Sequence, residues 1–306
     1  MADLIKRGIS NDYHLRYFFV ETEKVAEMGR EIHSLTTPIE TVLFTKMLMA
    51  GLMFGADLKD DNFAVTLKTN FNNEENYVLV TSNRRGEVKG YPFFPDQLKT
   101  THFETNKAIQ DELKKHLQGG LFTVIKDIGM KTPYNGTTQL ITGELARDIT
   151  YYFTTSEQTP SAVGLSVVLN EDGSVRKGVG FIVQLLPEAN THTLEHLESN
   201  LKSLPEVTDL LDMGMTIDDI MSKLVLKGFE CQTIEESQVK YSCNCSKDRF
   251  ERGLRLLGES ELEMIIAESD EPLVVQCQYC LKQYTFTIEE IETMINELKR
   301  GKGVEE

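Results

Sequence analysis

Apolar and aromatic positions alternate between Tyr13 and Val20, where Tyr13, Leu15, Tyr17 and Phe19 fall on one side of an extended chain and predict a strand. Thr22 can cap a helical segment running through Met28 to His33. Thr37-Pro38 opens a longer helix, because proline at the first helical position gives up no intrahelical hydrogen bond. That helix carries Val42, Leu43, Met47, Leu48, Leu52 and Phe54. Its Met47, Met49 and Met53 suit either an adaptable binding surface or a core, and core filling is the commoner use of methionine.

From Phe63 to Lys68, Tyr77 to Ser82 and Glu87 to Tyr91 the period returns to two, and the Asn83-Arg84-Arg85-Gly86 turn between the last two makes an antiparallel meander. Residues 106–118 read as a helix with Ile109, Leu113 and Leu117 in register and Gly119-Gly120 as its stop. Strands are expected at Leu121 to Asp127 and Thr137 to Thr142, then a helix through Leu145 to Phe153. Val163 to Asn170 and Val175 to Leu186 flank Asp172-Gly173, a hairpin signal. Strands interrupted irregularly by helices predict an α+β core rather than a doubly wound sheet.

After Pro187 acidic, leucine-bearing amphipathic segments replace the strands. Leu194, Leu197, Leu201 and Leu204 share one helical face, and Thr216-Ile-Asp-Asp219 caps a segment carrying Ile217, Ile220, Met221 and Leu224 that stops at Gly228. Such faces must dock on something, either simply covering the first domain or concealing a sticky surface until released. Further on, Ser246 can cap a helix over Asp248 to Leu257, Glu259 to Glu268 forms a second, and Leu273 to Gln276 with Gln283 to Phe286 forms a hairpin. Thr287-Ile-Glu-Glu290 is a capping box for a last helix with Ile288, Ile291, Ile295 and Leu298 on one side, ending at Gly301. The pattern divides the chain into a strand-rich core domain over 1–186, a helical linker over 187–240 and a small C-terminal domain over 241–306.

Cysteine spacing gives that last domain its chemistry. Cys243-Asn-Cys245 and Cys277-Gln-Tyr-Cys280 stand 31 residues apart, two close pairs that together offer the four soft ligands of tetrahedral zinc. Iron-sulfur ligation usually places three cysteines close together, and here the split is two and two. A domain this small has too little core for secure stability, so bound metal should supply much of its folding free energy. Each pair could also close a disulfide once a metal leaves, and the tight Cys-x-Cys ring would be strained and labile. The alternative is a constitutive zinc ribbon whose metal is merely structural. Cys231, the fifth cysteine, lies between Phe229 and Ile234 and reads as a buried inert thiol.

Charge narrows the partners. The net charge of −16 is uneven: residues 1–186 carry 20 basic and 23 acidic groups, residues 187–306 carry 12 and 25. So acidic a second half disfavours nucleic acid despite the finger-like ligand spacing. No stretch reaches 18 uncharged apolar residues, which argues against a membrane partner, and Met1-Ala-Asp-Leu-Ile-Lys-Arg lacks a signal peptide's apolar region. The expected compartment is the cytoplasm, where thiols stay reduced and metal or redox roles outweigh structural disulfides. His192-Thr-Leu-Glu195-His196 matches an inverted zinc-protease pattern and raises a metal-dependent hydrolase as a rival, but no independent third ligand accompanies it. Gly178 and Gly180 complete no dinucleotide fingerprint, and no phosphate-cradling loop ends in Lys-Ser or Lys-Thr, so no ATP-driven motor is evident.

Taken together, Cys-x-Cys with Cys-x-x-Cys, Gly253-Leu-Arg-Leu-Leu-Gly258 and Glu261-Leu262 between them, Tyr152, Ser156-Glu-Gln-Thr-Pro-Ser161, Gly178-Val-Gly180 and Gln184-Leu-Leu-Pro187 resemble the bacterial heat-shock protein 33 family of redox-regulated holdase chaperones, nearly end to end. The resemblance implies a non-enzymatic, ATP-independent chaperone. It implies that Cys243, Cys245, Cys277 and Cys280 bind one zinc as thiolates when reduced, and that oxidation pairs Cys243 with Cys245 and Cys277 with Cys280. Zinc release would then unfold the small domain and linker, exposing apolar surface to unfolding client proteins, with homodimerisation in the oxidised form.

Overall fold

The computed structural model describes residues 3–73, 75–99, 105–269 and 271–302. The chain divides after Ser242 into two compact units, Met1–Ser242 and Cys243–Glu306. The first runs β1 (Leu4–Ser10), β2 (Leu15–Thr22), α1 (Lys24–Ile32), α2 (Pro38–Ala56), β3 (Ala64–Asn70), β4 (Tyr77–Asn83), β5 (Glu87–Phe93), α3 (Asn106–Leu117), β6 (Leu121–Asp127), β7 (Tyr134–Gln139), α4 (Leu145–Thr155), β8 (Ser161–Leu169) and β9 (Val175–Leu185). It continues through α5 (Thr191–Lys202), α6 (Val207–Asp212), α7 (Ile217–Ile220), β10 (Cys231–Gln238) and β11 (Lys240–Tyr241). This is the α+β architecture that the alternation predicts.

Two sheets sandwich α2. One has the order β10-β1-β2-β9-β8 and is antiparallel throughout; the other has the order β11-β5-β4-β3-β6-β7 and is antiparallel except where β11 joins β5. A helix that is apolar on every side is stable only where every side is covered, and α2 packs on strands of both sheets with Ile39 through Gly55 buried. It is long and apolar enough to cross a membrane, yet it is wholly buried as the core of this unit. Met47, Met49 and Met53 are core residues, as their commoner use foretold. Thr37 and Glu40 form a capping box that spans Pro38. At the other end, Arg7 donates to the Ala56 carbonyl, an acceptor the last turn leaves open, and Arg84 to the Leu58 carbonyl just beyond the helix.

The family-like motifs of this unit hold layers together. Tyr152, fully buried, donates from its hydroxyl to Glu157, which also accepts from Lys126 at 2.6 Å. Ser161 accepts from Gln184, whose amide oxygen takes a bond from Arg16, itself paired with Asp57 at 2.7 Å. Gly178 and Gly180 on β9 serve packing: a Cβ on Gly178 would lie 2.7 Å from the Thr22 hydroxyl, and one on Gly180 would lie 3.0 Å from Leu165.

Both faces of the first sheet are covered. Phe18, Val20 and Ile182 point into the α2 core, while Leu15, Tyr17, Phe19, Val179, Phe181 and Val183 point the other way and meet Leu197, Leu210, Ile217, Ile220, Met221, Val225 and Leu226 from the segment after Pro187. Leu201 and Leu204 are partly buried there, whereas Leu194 is 39% exposed. The capping box at Thr216 and Asp219 is present, but α7 gives way after one turn to a π-helical turn over Met221–Val225.

Some local expectations shift. Tyr13 precedes its strand, in a left-handed turn with φ 59° and more than half exposed. Thr22 ends β2 rather than capping α1, and the Asp3 carboxylate instead accepts from Val25 N–H at 2.6 Å. Strand β7 lies earlier than the pattern placed it. β1 and β10 carry no clear alternation, because β10 is an edge strand fixed largely by charge: Glu235 takes Arg7 at 2.6 Å and Arg84 at 3.1 Å.

The second unit contains α8 (Lys247–Leu257), α9 (Glu259–Glu268), β12 (Leu273–Gln276), β13 (Gln283–Phe286) and α10 (Ile288–Lys302). Ser246 accepts from Arg249 N–H to cap α8, and Thr287 with Glu290 forms the expected capping box. Its core is Leu254, Leu262, Tyr284, Phe286, Ile291, Met294 and Ile295.

Candidate metal centre

The hairpin β12–β13 carries one pair of cysteines on its turn. Cys277 N–H donates to the Lys282 carbonyl at 2.9 Å and Leu281 N–H to the Cys277 carbonyl at 2.8 Å, a tight knuckle that turns both thiols to one side. Leu281 adopts φ 57°, a left-handed conformation that a side chain tolerates at a cost on the order of 1 kcal/mol. The other pair lies in the loop before α8.

The four sulfur atoms lie within 4.8 Å of one another. Cys243 and Cys277 are 3.6 Å apart at sulfur, Cys245 and Cys280 3.4 Å, and all are free thiols, far from the ~2.05 Å of a disulfide. A tetrahedral site with metal–sulfur bonds of ~2.3 Å sets its sulfurs ~3.8 Å apart, so the cluster needs only a small adjustment to close on such an ion. Among the described residues no other group of three or more histidine, cysteine or acidic side chains converges in this way.

Electrostatics give the same answer. Burial and the neighbouring thiols push Cys243 up to about 12, and burial raises Cys280 as well. At Cys245 burial works against the thiolate, but hydrogen bonds from the Tyr284 hydroxyl and the adjoining thiols outweigh it and bring the group down to about 7. Contact with Cys245, then burial, moves Tyr284 up to about 12. Among Cys243, Cys245 and Cys280 one negative charge is therefore favoured and further ones are opposed, and a cation between the sulfurs would offset that opposition. The donor set is all sulfur, which suits a soft divalent metal.

The remaining candidates lie elsewhere. His192, Glu195 and His196 sit on α5, where His196 stacks on Phe229 with ring centres 4.6 Å apart and crowds Gly228. Among the described residues they join no ligand cluster. Cys231 begins β10 and packs into the cluster beneath α5–α7, its thiol pushed up to about 11 by burial. Sequence reading missed Tyr284, whose hydroxyl lies 3.0 Å from the Cys245 carbonyl and 3.2 Å from its sulfur. Its only linear signal was an inward position on a four-residue strand.

Comparison with known proteins agrees with this architecture. A family model described as "Hsp33 protein" matches residues 3–287. A "33 kDa chaperonin" from Agathobacter rectalis is 38% identical over 294 residues, covering 96% of this chain and all of that protein. One from Clostridium perfringens is 37% identical over 304 residues, covering 98% and 93%. The crystal structure of the 33 kDa chaperonin (heat shock protein 33 homolog) from Thermotoga maritima superposes with a TM-score of 0.81 at 26% identity, over 97% of this chain and 99% of that one. The chain belongs to the Hsp33 family, a family of chaperones and not of enzymes.

Proposed function

We propose that this chaperone is a redox-controlled holdase, inactive while its thiols are reduced and switched on by their oxidation. Cys243, Cys245, Cys277 and Cys280 would hold one zinc ion as thiolates, the ion supplying the positive charge that lets all four ionise. The observation that carries the reading is the convergence of these four sulfurs within 4.8 Å, two short-range pairs in one cluster. Each cysteine has a partner two or three residues away that can resolve an oxidised neighbour. With hydrogen peroxide as oxidant, a pair of thiolates would give up two electrons as one sulfur–sulfur bond forms, and the peroxide would take those electrons with two protons from solvent to become two waters. Pairing Cys243 with Cys245 and Cys277 with Cys280 would remove every thiolate ligand. The Cys-x-Cys bridge needs backbone movement to close, so warmth should speed the change.

The readout would lie in residues 187–240. They carry 11 acidic and 4 basic groups, and their helices α6 and α7 have six and four residues, too short to persist without packing. Their release would bare Leu15, Tyr17, Phe19, Val179, Phe181 and Val183 on the sheet and the apolar helix faces opposite them, a surface for unfolding clients. The division into a core over 1–186, a releasable linker over 187–240 and a switch domain over 241–306 is thus functional. We place the protein in the cytoplasm, dimeric when oxidised, with neither nucleic acid nor membrane as its partner.

Light scattering from a heat-denatured test protein checks this. Peroxide-treated, warmed chain should suppress aggregation, while reduced zinc-loaded chain and oxidised chain returned to reductant with zinc should not, each regardless of ATP. Equal activity in reduced and oxidised samples, or activity only with ATP, would overturn it.

A further inference from the structure

The two cysteine arms are held in unlike ways. The Cys-x-x-Cys arm is fixed by its own backbone, through the Cys277 to Lys282 and Leu281 to Cys277 bonds at the tip of a hairpin. The Cys-x-Cys arm lies in an irregular stretch between β11 and α8. Tyr284 on β13 reaches it, with its hydroxyl 3.0 Å from the Cys245 carbonyl oxygen and 3.2 Å from the Cys245 sulfur. The ring is itself anchored, tilted against Phe250 of α8 at 5.1 Å between centres and lying under the Lys282 ammonium at 5.3 Å.

We propose that Tyr284 is a positioning residue of the four-thiol centre: its hydroxyl ties Cys245 to β13 and sets how firmly the Cys-x-Cys arm holds a metal ion. This rests on reading the four cysteines as metal ligands. A hydroxyl has one proton to give, shared here between a carbonyl and a sulfur. Once the sulfur is a thiolate it is the stronger acceptor, and the bond then both fixes the direction of the sulfur and withdraws some of its charge. Partners of ligands that act in this manner typically change metal retention 10- to 100-fold when removed. Tyr284 thereby gives one arm the rigidity that the other draws from its own hairpin.

The experiment uses the full chain, reduced and loaded with zinc or cobalt(II). Tyr284→Phe keeps the ring and deletes only the hydroxyl. Transfer of zinc to a chromogenic chelator should accelerate about 10- to 100-fold. The sulfur-to-cobalt charge-transfer band should shift, and alkylation of Cys245 should rise relative to Cys280. Ile291→Val loosens the core of the same unit and spares the hydroxyl and the two groups that anchor its ring, so it should leave transfer rate and band unchanged. Wild-type behaviour in Tyr284→Phe would overturn the proposal, as would equal losses in both variants, which would assign the effect to packing. A wild-type chain that binds no metal through its thiols would instead bring down the ligand assignment, and this inference with it.

Discussion

The two units reach stability by different means. Among the described residues the first buries 42 apolar side chains around α2, and the second buries seven around its hairpin and three helices. A core of the first size folds by itself, whereas seven side chains must order a unit spanning Cys243–Glu306, a size at which small domains are marginal without a metal or a disulfide. On the proposed zinc ligation, ligand loss would unfold the weak unit and free the segment over 187–240, while the α2 core of the first unit would stand. A switch is most effective where its ligand is the main source of stability.

That difference is broken most severely by removing a ligand. Metal binding in small thiolate modules has an apparent free energy of about 10 to 16 kcal/mol, so Cys280→Ser should lose tight zinc binding and leave the second unit largely unfolded. Metal analysis with far-ultraviolet circular dichroism would register both changes, and Cys231→Ser, outside the cluster, should retain full zinc. Tight binding retained in Cys280→Ser would refute the ligand assignment.

A smaller effect of the opposite kind is expected in the first unit. Leu52 is wholly buried on α2, and Leu52→Ala should cost about 2 to 5 kcal/mol. Denaturant unfolding should show the same loss in reduced and oxidised chain, because that core draws nothing from the metal.

The smallest effect is on the last strand of the first unit. Glu87 receives bonds from Asn83, Lys240 and Arg85 that hold its carboxyl down at about 2, below its ordinary 4.5. A carboxylate whose folded pKa is depressed contributes stability above the unfolded value and loses it as pH falls, here between about 4.5 and 2. Acid in that window should loosen the pairing of β11 with β5, and Glu87→Gln should remove this component. For a pair so open to solvent the change should stay below about 1 kcal/mol. Exchange at Lys240 and Ser242 amides, which donate to Gly86 and Val88, would follow it.

The same contrast governs what the sequence made legible. The limits of β6, α9, β12 and β13 coincide with the pattern, α2 starts at Pro38 as its proline predicts, and the capping boxes at Thr216 and Thr287 are where their spacing places them, since each is a local arrangement. The four-cysteine cluster was legible because its members come as two close pairs in the sequence. Strand β10 was not, because an edge strand held by Arg7 and Arg84 on Glu235 has no apolar period to read. Tyr284 was hidden for a similar reason: its role depends on Cys245, 39 residues away, and no local rule joins them.

On the proposed ligation, the metal sustains the second unit and the covering segment while the sandwich stands without it. Native-state hydrogen exchange on reduced zinc-loaded and on peroxide-oxidised chain tests this directly. Amides from about residue 190 onward, those of 246–298 above all, should lose protection on oxidation, while those of β9 and α2 keep theirs. Simultaneous loss of protection in β9 and in 246–298, or protection of 246–298 unchanged by oxidation, would contradict it.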